Sequence, residues 1–292
     1  MKFKVYVLVL CGLLTVTGCS EAKVTLSNNK GVNTQEIEKK DNVANETLNV
    51  DGIIEKEKIS DEEQASVDTL YWMNGTYGIL IERNNWDIKY LTGLAPEASD
   101  VSSEVKQMLN EWWGIENKED LDEMIKWLLE EGQSKELLDD YNIMKLDMFT
   151  RDKVVEIVKG TEDEARILAI YDSYVAHGDN AIKAWDLSRA IQLIQSGYKC
   201  GYYEYNETIE KSLEVAKQLQ GIYTSWDDMM ESYLWGYQYW SGENIEDETT
   251  EAYMRKQVYD QLKEQEDSPY QLDWNMTLTV DYALENKVEV LR

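Results

Sequence analysis

From about residue 100 onward, apolar residues return at three- and four-residue intervals, the spacing of a helix that buries one face. Leu121, Met124, Ile125 and Leu128 keep this period between Asn117, a good N-cap, and Gly132, a natural stop, which predicts a helix over 117–131. Thr161-Glu162-Asp163-Glu164 has the form of a capping box ahead of Ile167, Leu168 and Tyr171. Ser225-Trp226-Asp227-Asp228 opens another helix, with Trp226, Met229, Met230, Tyr233, Tyr237 and Trp240 on one stripe. Further helices are expected near 102–113, 134–147, 180–196, 206–220 and 248–265. Only two prolines, Pro96 and Pro269, bar any segment from helix. Short β segments are expected at Tyr77–Ile81 and Val288–Leu291. No repeat of fixed period runs through the chain, which argues against a solenoid. The fold class is therefore mainly all-α, a compact multi-helix domain with minor β segments.

The segment NAIKAWDLSRAIQLIQSGYKCG, residues 180–201, departs from the one-sided pattern. Ala184, Leu187, Ala190, Ile191 and Ile194 make one apolar arc, while Ile182, Trp185 and Leu193 lie outside it beside Asp186 and Arg189. A helix apolar on nearly all sides is a central, buried one. Asp186 is thus expected among Ile182, Ala190 and Leu193, where a carboxylate must be paired or take up a proton. Arg189, three residues on, is the nearest partner on a helix. Two roles compete for this pair. One is a structural ion pair that fixes helix packing; the other is a polar cleft with Asp186 as acid or base and Arg189 holding an anion. The structural role is preferred, because nothing nearby completes a catalytic set. The single histidine, His177, stands in Ala176-His177-Gly178-Asp179, read as a loop before this helix, and reaches the pair only if the turn folds back.

The first 65 residues have a different character. Lys2 and Lys4 precede the apolar run Val5–Leu14, and small residues lead to Val16-Thr17-Gly18-Cys19. This is the layout of a secretory signal, too short for a permanent membrane span. Its ending resembles the lipobox of bacterial lipoproteins, which implies cleavage before Cys19 and a diacylglycerol on its thiol. Two or more acyl chains hold a protein firmly at a membrane. Residues 20–65 hold no aromatic residue and only scattered aliphatics, too little apolar area to offset ordering entropy. They are expected to be a disordered tether, with a transient helix near 53–64. The organisation expected is a signal peptide over 1–18, a lipid-attached tether over 19–65 and a helical domain over 66–292. The location that follows is the extracytoplasmic face of a cell membrane.

Charge narrows the choice of partner. There are 57 Asp plus Glu against 29 Lys plus Arg, a net charge of −28. Loss of Lys2 and Lys4 with the signal takes that to −30 (−28 less 2). Such a surface repels nucleic acid and anionic headgroups. With Cys11 removed and Cys19 acylated, Cys200 is left alone between Lys199 and Gly201, read as a small buried hydrophobe rather than a nucleophile. No zinc spacing, EF-hand loop, P-loop, HExxH or GxSxG elbow occurs, so neither metal nor cofactor is expected. Aromatic stripes at helical spacing are read as core rather than as sugar platforms. Neighbouring carboxylates such as Asp139-Asp140, Asp227-Asp228 and Glu130-Glu131 are unsurprising in so acidic a chain.

Three stretches together carry a family resemblance: WWGIENKEDLDEMIKWLLEEG, AWDLSRAIQLIQSGYKCGY and YTSWDDMMESYLWGYQYWSG. Their pattern resembles the family catalogued as domain of unknown function 1266, through Trp112–Ile115, Ala184–Arg189, Ser225–Asp227 and Tyr239–Gly242. Ser268-Pro269-Tyr270 and Trp274 extend the likeness to about residues 105–280. The resemblance implies a helical fold and no established activity. Its members are often cytosolic, so a lipobox in front is a departure. Gln133 is another, standing where relatives often carry histidine. The function expected is a membrane-anchored domain that binds a protein or a cell-envelope component. The alternative is a hydrolase or transferase centred on Asp186 and Arg189, with His177 contributing.

Overall fold

The computed structural model describes residues 60–94 and 101–280, and of Val101 the backbone alone. Eleven α-helices and no strand occur among these described residues. They are α1 (Asp61–Gly75), α2 (Gly78–Arg83), α3 (Val101–Trp113), α4 (Lys118–Glu130), α5 (Gly132–Met144), α6 (Arg151–Val158), α7 (Glu164–His177), α8 (Lys183–Lys199), α9 (Tyr205–Ile222), α10 (Trp226–Ser241) and α11 (Glu251–Glu264).

Local chemistry explains several of the boundaries. Asn117 caps α4 by accepting from the Asp120 N–H at 3.0 Å, and Ser225 caps α10 by accepting from Asp228 at 3.1 Å. Ser60 and Glu63 form a reciprocal capping box, so α1 starts at Asp61, ahead of the expected domain edge at residue 66. The capping box expected at Thr161 is absent. The Thr161 hydroxyl donates to Val158 O, Glu164 accepts from the Gly160 N–H, and α7 begins after Asp163 without a side-chain cap.

The β segment expected at Tyr77–Ile81 is also corrected, since α2 runs through it. Tyr77, Ile79 and Ile81 are all buried. A short apolar run buried on several sides does not distinguish strand from helix. With no neighbouring strand to pair with among the described residues, its backbone bonds close locally, from Leu80 and Ile81 N–H to Tyr77 O. The segment Val288–Leu291, the expected signal over 1–18, and Cys19 with the expected tether up to residue 59 lie outside the described residues, while residues 60–65 of that expected tether are the cap and first turn of α1.

Helix α8 is the axis of the domain. Ala184, Leu187, Ala190, Ile191, Leu193 and Ile194 are at most 1% exposed, as expected of a helix apolar all round. Helices α4, α9 and α10 pack along it, with α3 and α5 completing the surround. The α8–α10 approach is very close at Gly236, where an added Cβ would sit 2.2 Å from Trp185 Cβ. Any side chain at 236 would force the two helices apart.

Aromatic residues join the ends of the described chain. Trp72 on α1, Trp226 on α10 and Trp274 lie in mutual contact, with ring centroids 4.8–4.9 Å apart. The indole N–H of Trp226 donates to Leu272 O and that of Trp274 to Tyr223 O. Tyr270 OH donates to Gly75 O at 2.8 Å. Burying one large aromatic is worth roughly 2–3 kcal/mol, so this cluster contributes substantially to holding α1 against the segment after α11.

Candidate functional site

The first turn of α8 presents Asp186 to the first turn of α5. Asp186 is 0% exposed. Its Oδ1 accepts from the Gln133 N–H at 3.0 Å and from Arg189 Nη2 at 2.6 Å. Its Oδ2 accepts from the Ser134 N–H at 2.9 Å and from the Ser134 hydroxyl at 2.5 Å. Four donors thus fill the four lone-pair positions of the two oxygens. The two amides are free N–H groups at a helix start, where the backbone dipole also favours negative charge. Asp186 therefore serves as a cap supplied to α5 from another helix.

Gly132 makes that approach possible. Its φ is +63°, and a Cβ there would lie 2.2 Å from Asp186 Oδ2. Glycine is needed both for the left-handed backbone and for the space. The expectation that Gly132 simply ends the preceding helix is thus incomplete, because it also opens α5 against the carboxylate. Glu131 between α4 and α5 is the only residue outside both helices at this break.

Arg189 is sandwiched and largely buried. Its Nε donates to Trp185 O at 3.0 Å, and its guanidinium lies 4.4 Å from the Trp185 ring centroid and 5.6 Å from that of Trp113. Burial pulls its pKa down, with the Asp186 carboxylate acting in the opposite direction. Trp185 closes the arrangement by donating its indole N–H to Gln133 Oε1. Gln133 thus touches Asp186 through its backbone and Trp185 through its side chain. Burial raises Glu136 above the usual carboxylate range, helped by repulsion from Asp186 and Asp140. Lys183 reaches the C-terminal end of α4, donating to Leu129 O at 2.8 Å. Burial lowers its pKa while Asp186 opposes that shift.

The sequence-based candidates divide at this point. Asp186 and Arg189 come together as the spacing predicts, at 2.6 Å. His177 makes no hydrogen bond or ion pair with either of them. It is the last residue of α7 rather than a loop residue, and its Nδ1 faces Asp228 Oδ1 at 3.5 Å. Cys200 is buried, and its thiol donates to Gly197 O at 3.4 Å. Burial pushes that thiol's pKa up, the opposite of nucleophile activation.

The adjacent carboxylates are engaged separately. Asp140 accepts from Tyr239 OH, Asp227 from Tyr259 OH and Lys263, and Asp228 from Thr224. Among the described residues, no three His, Cys, Asp or Glu side chains converge as a metal site. A recess lined by Tyr71, Trp86, Lys89, Leu262, Asp267 and Pro269 lies elsewhere on the surface.

The residues that sequence reasoning missed are Ser134 and the backbone of Gln133, some fifty positions before Asp186. A polar Gln-Ser pair directly after glycine was the available signal, because it marks a helix start that lacks its own cap. A second buried polar group was also missed. Gln195 Oε1 on α8 accepts from Tyr77 OH at 2.6 Å and from the Thr92 N–H at 3.0 Å.

A family model described as "Protein of unknown function (DUF1266)" matches residues 108–274. No curated protein and no solved structure matches the chain.

Proposed function

The chain belongs to the DUF1266 family of proteins of unknown function; from the geometry around Asp186 we propose a non-catalytic binding domain, and from the lipobox-like Val16–Cys19 in the sequence, one held at the extracytoplasmic membrane face by lipid on Cys19. The observation that carries this reading is the saturated state of Asp186. A general base must offer a free lone pair to a substrate proton, and a general acid must release its proton toward one. Asp186 has no exposed surface, and each of its oxygens already accepts two hydrogen bonds. Arg189 is committed to Asp186 and to Trp185 O. The structural role of the pair is therefore favoured over the hydrolase or transferase alternative.

Two further features support a binding role. Large apolar side chains stand exposed, among them Ile143 at 76% and Met148 at 72%, and exposed apolar surface on an acidic protein is characteristic of contact sites. The lipobox-like Val16–Cys19 and the polar, aromatic-free stretch after it fit display on a tether.

The test combines two variants in cells fed radiolabelled fatty acid. Wild type takes up label and Cys19→Ala does not; equal labelling refutes the anchor. Asp186→Asn leaves the α5 amides facing a neutral amide and Arg189 unpaired, so it lowers unfolding stability by about 3 kcal/mol. If instead Asp186→Asn keeps wild-type stability while a cellular phenotype disappears, the structural reading of the pair is wrong.

A further inference from the structure

We infer that the surface formed by the end of α5, the turn after it and the end of α7 is a docking site for an apolar, net-basic segment of another protein. This rests on the binding role proposed above and gives it a place and a partner chemistry. Of the eight large apolar residues found exposed, four fall within seven positions: Ile143, Met144, Met148 and Phe149. Val175, 65% exposed, lies on α7, which packs against α5.

This corner is held in place. Lys145 adopts a left-handed backbone (φ 50°) that ends α5 and turns the chain, and buried Leu146 anchors the turn. Tyr141 on α5 stacks on Tyr174 of α7 with centroids 3.8 Å apart. Tyr171 OH donates to Phe149 O at 3.0 Å, and Arg151 makes a two-pronged pair with Asp172 at 2.7 and 2.8 Å. These contacts tie the end of α5, the turn and the start of α6 to α7. Methionine is suited to such a surface, because its unbranched, polarizable chain adapts to different apolar ligands.

Charge selects the occupant. Residues 139–179 contain ten Asp plus Glu and five Lys plus Arg, a local net charge of −5. Two of the basic residues, Arg151 and Lys153, are already paired with Asp172 and Glu156. A second copy of a chain carrying −28 overall would meet like charge here. An anionic membrane would be repelled for the same reason. An amphipathic segment with apolar anchors and flanking Lys or Arg satisfies both the exposed side chains and the acidic surround, in the manner of a helix lying in a groove.

The experiment uses the full acylated chain in neutral-lipid nanodiscs and a fluorescent amphipathic Leu/Lys peptide, with empty discs as baseline. Binding above baseline is expected, and Ile143→Asp with Met148→Asp weakens it at least tenfold without changing the helical circular-dichroism signal. A Leu/Glu peptide of the same length binds at least tenfold more weakly than Leu/Lys. Unchanged affinity in the double variant overturns the proposal, as does equal binding of the Leu/Glu peptide. So does stronger capture by anionic vesicles that the same two substitutions abolish, which would make the surface a membrane contact. In cells, a photoreactive residue replaces either Met148 or exposed Lys217 on α9. An adduct with another protein from 148 that the Leu/Lys peptide competes away supports the docking site, and a homodimer adduct from 148 overturns it. Adducts from 217 alone leave the binding role standing and refute this surface.

Discussion

His177 shows how much one side chain's surroundings decide. Its imidazole meets Tyr223 and Trp235 edge-on, with centroids 5.4 and 5.7 Å away, and its Nε2 is buried without a hydrogen-bond partner. Burial lowers its pKa below the ordinary 6.5, and the Asp228 carboxylate opposes this only in part. The folded state therefore binds this proton less readily than the unfolded state. The resulting stability is fully present above about pH 6.5 and is lost as pH falls through the lower folded-state pKa. Between about pH 7.5 and about pH 5, wild type should lose more unfolding free energy than His177→Gln. Parallel profiles in urea titrations across that range would refute it. Asp186 is the opposite case, buried more deeply yet fully supplied with donors. What separates the two is the number of polar partners, four against one weak contact.

At the scale of the helix, caps written in adjacent residues were legible and caps supplied from a distance were not. Asn117 and Ser225 act within three residues of themselves, so their spacing revealed them. Thr161 had the same lettering, yet its hydroxyl turned back to Val158 O. The start of α5 shows the other limit, since its capping carboxylate arrives from α8. Helix α2 could not be read from composition, because a short apolar run such as Tyr77–Ile81 suits either backbone and only its neighbours decide. Asn117→Ala removes the side-chain acceptor of the Asp120 N–H, and should cost about 1 kcal/mol in chemical denaturation. A change below about 0.3 kcal/mol would mean that the tertiary contacts of α4 make the cap redundant.

For the whole molecule, the family match and the folded unit have different extents. The match spans residues 108–274, but α1 lies before it and fills the core. Leu70, Tyr71, Trp72 and Met73 are all at most 1% exposed, and Trp72 packs on both Trp226 and Trp274. A chain trimmed to residues 101–280 would expose those two tryptophans and leave a cavity the size of several large side chains. Its near-ultraviolet circular dichroism should collapse and its thermal unfolding lose cooperativity. A sharp transition at the full chain's temperature would overturn this view of α1.

The sequence by itself determined the helical class, the central place of α8, the Asp186–Arg189 pair and the burial of Cys200, because periodicity and i,i+3 spacing are local properties of the chain. Only the tertiary structure decided that Asp186 caps α5, that Gly132 must be glycine, that Tyr77–Ile81 closes as a helix and that His177 faces Asp228 instead of Asp186. Each of those outcomes depends on residues far apart in sequence meeting in space. Hydrogen-bond saturation and steric exclusion are settled by that meeting, and neither is encoded in the spacing of residues along one helix.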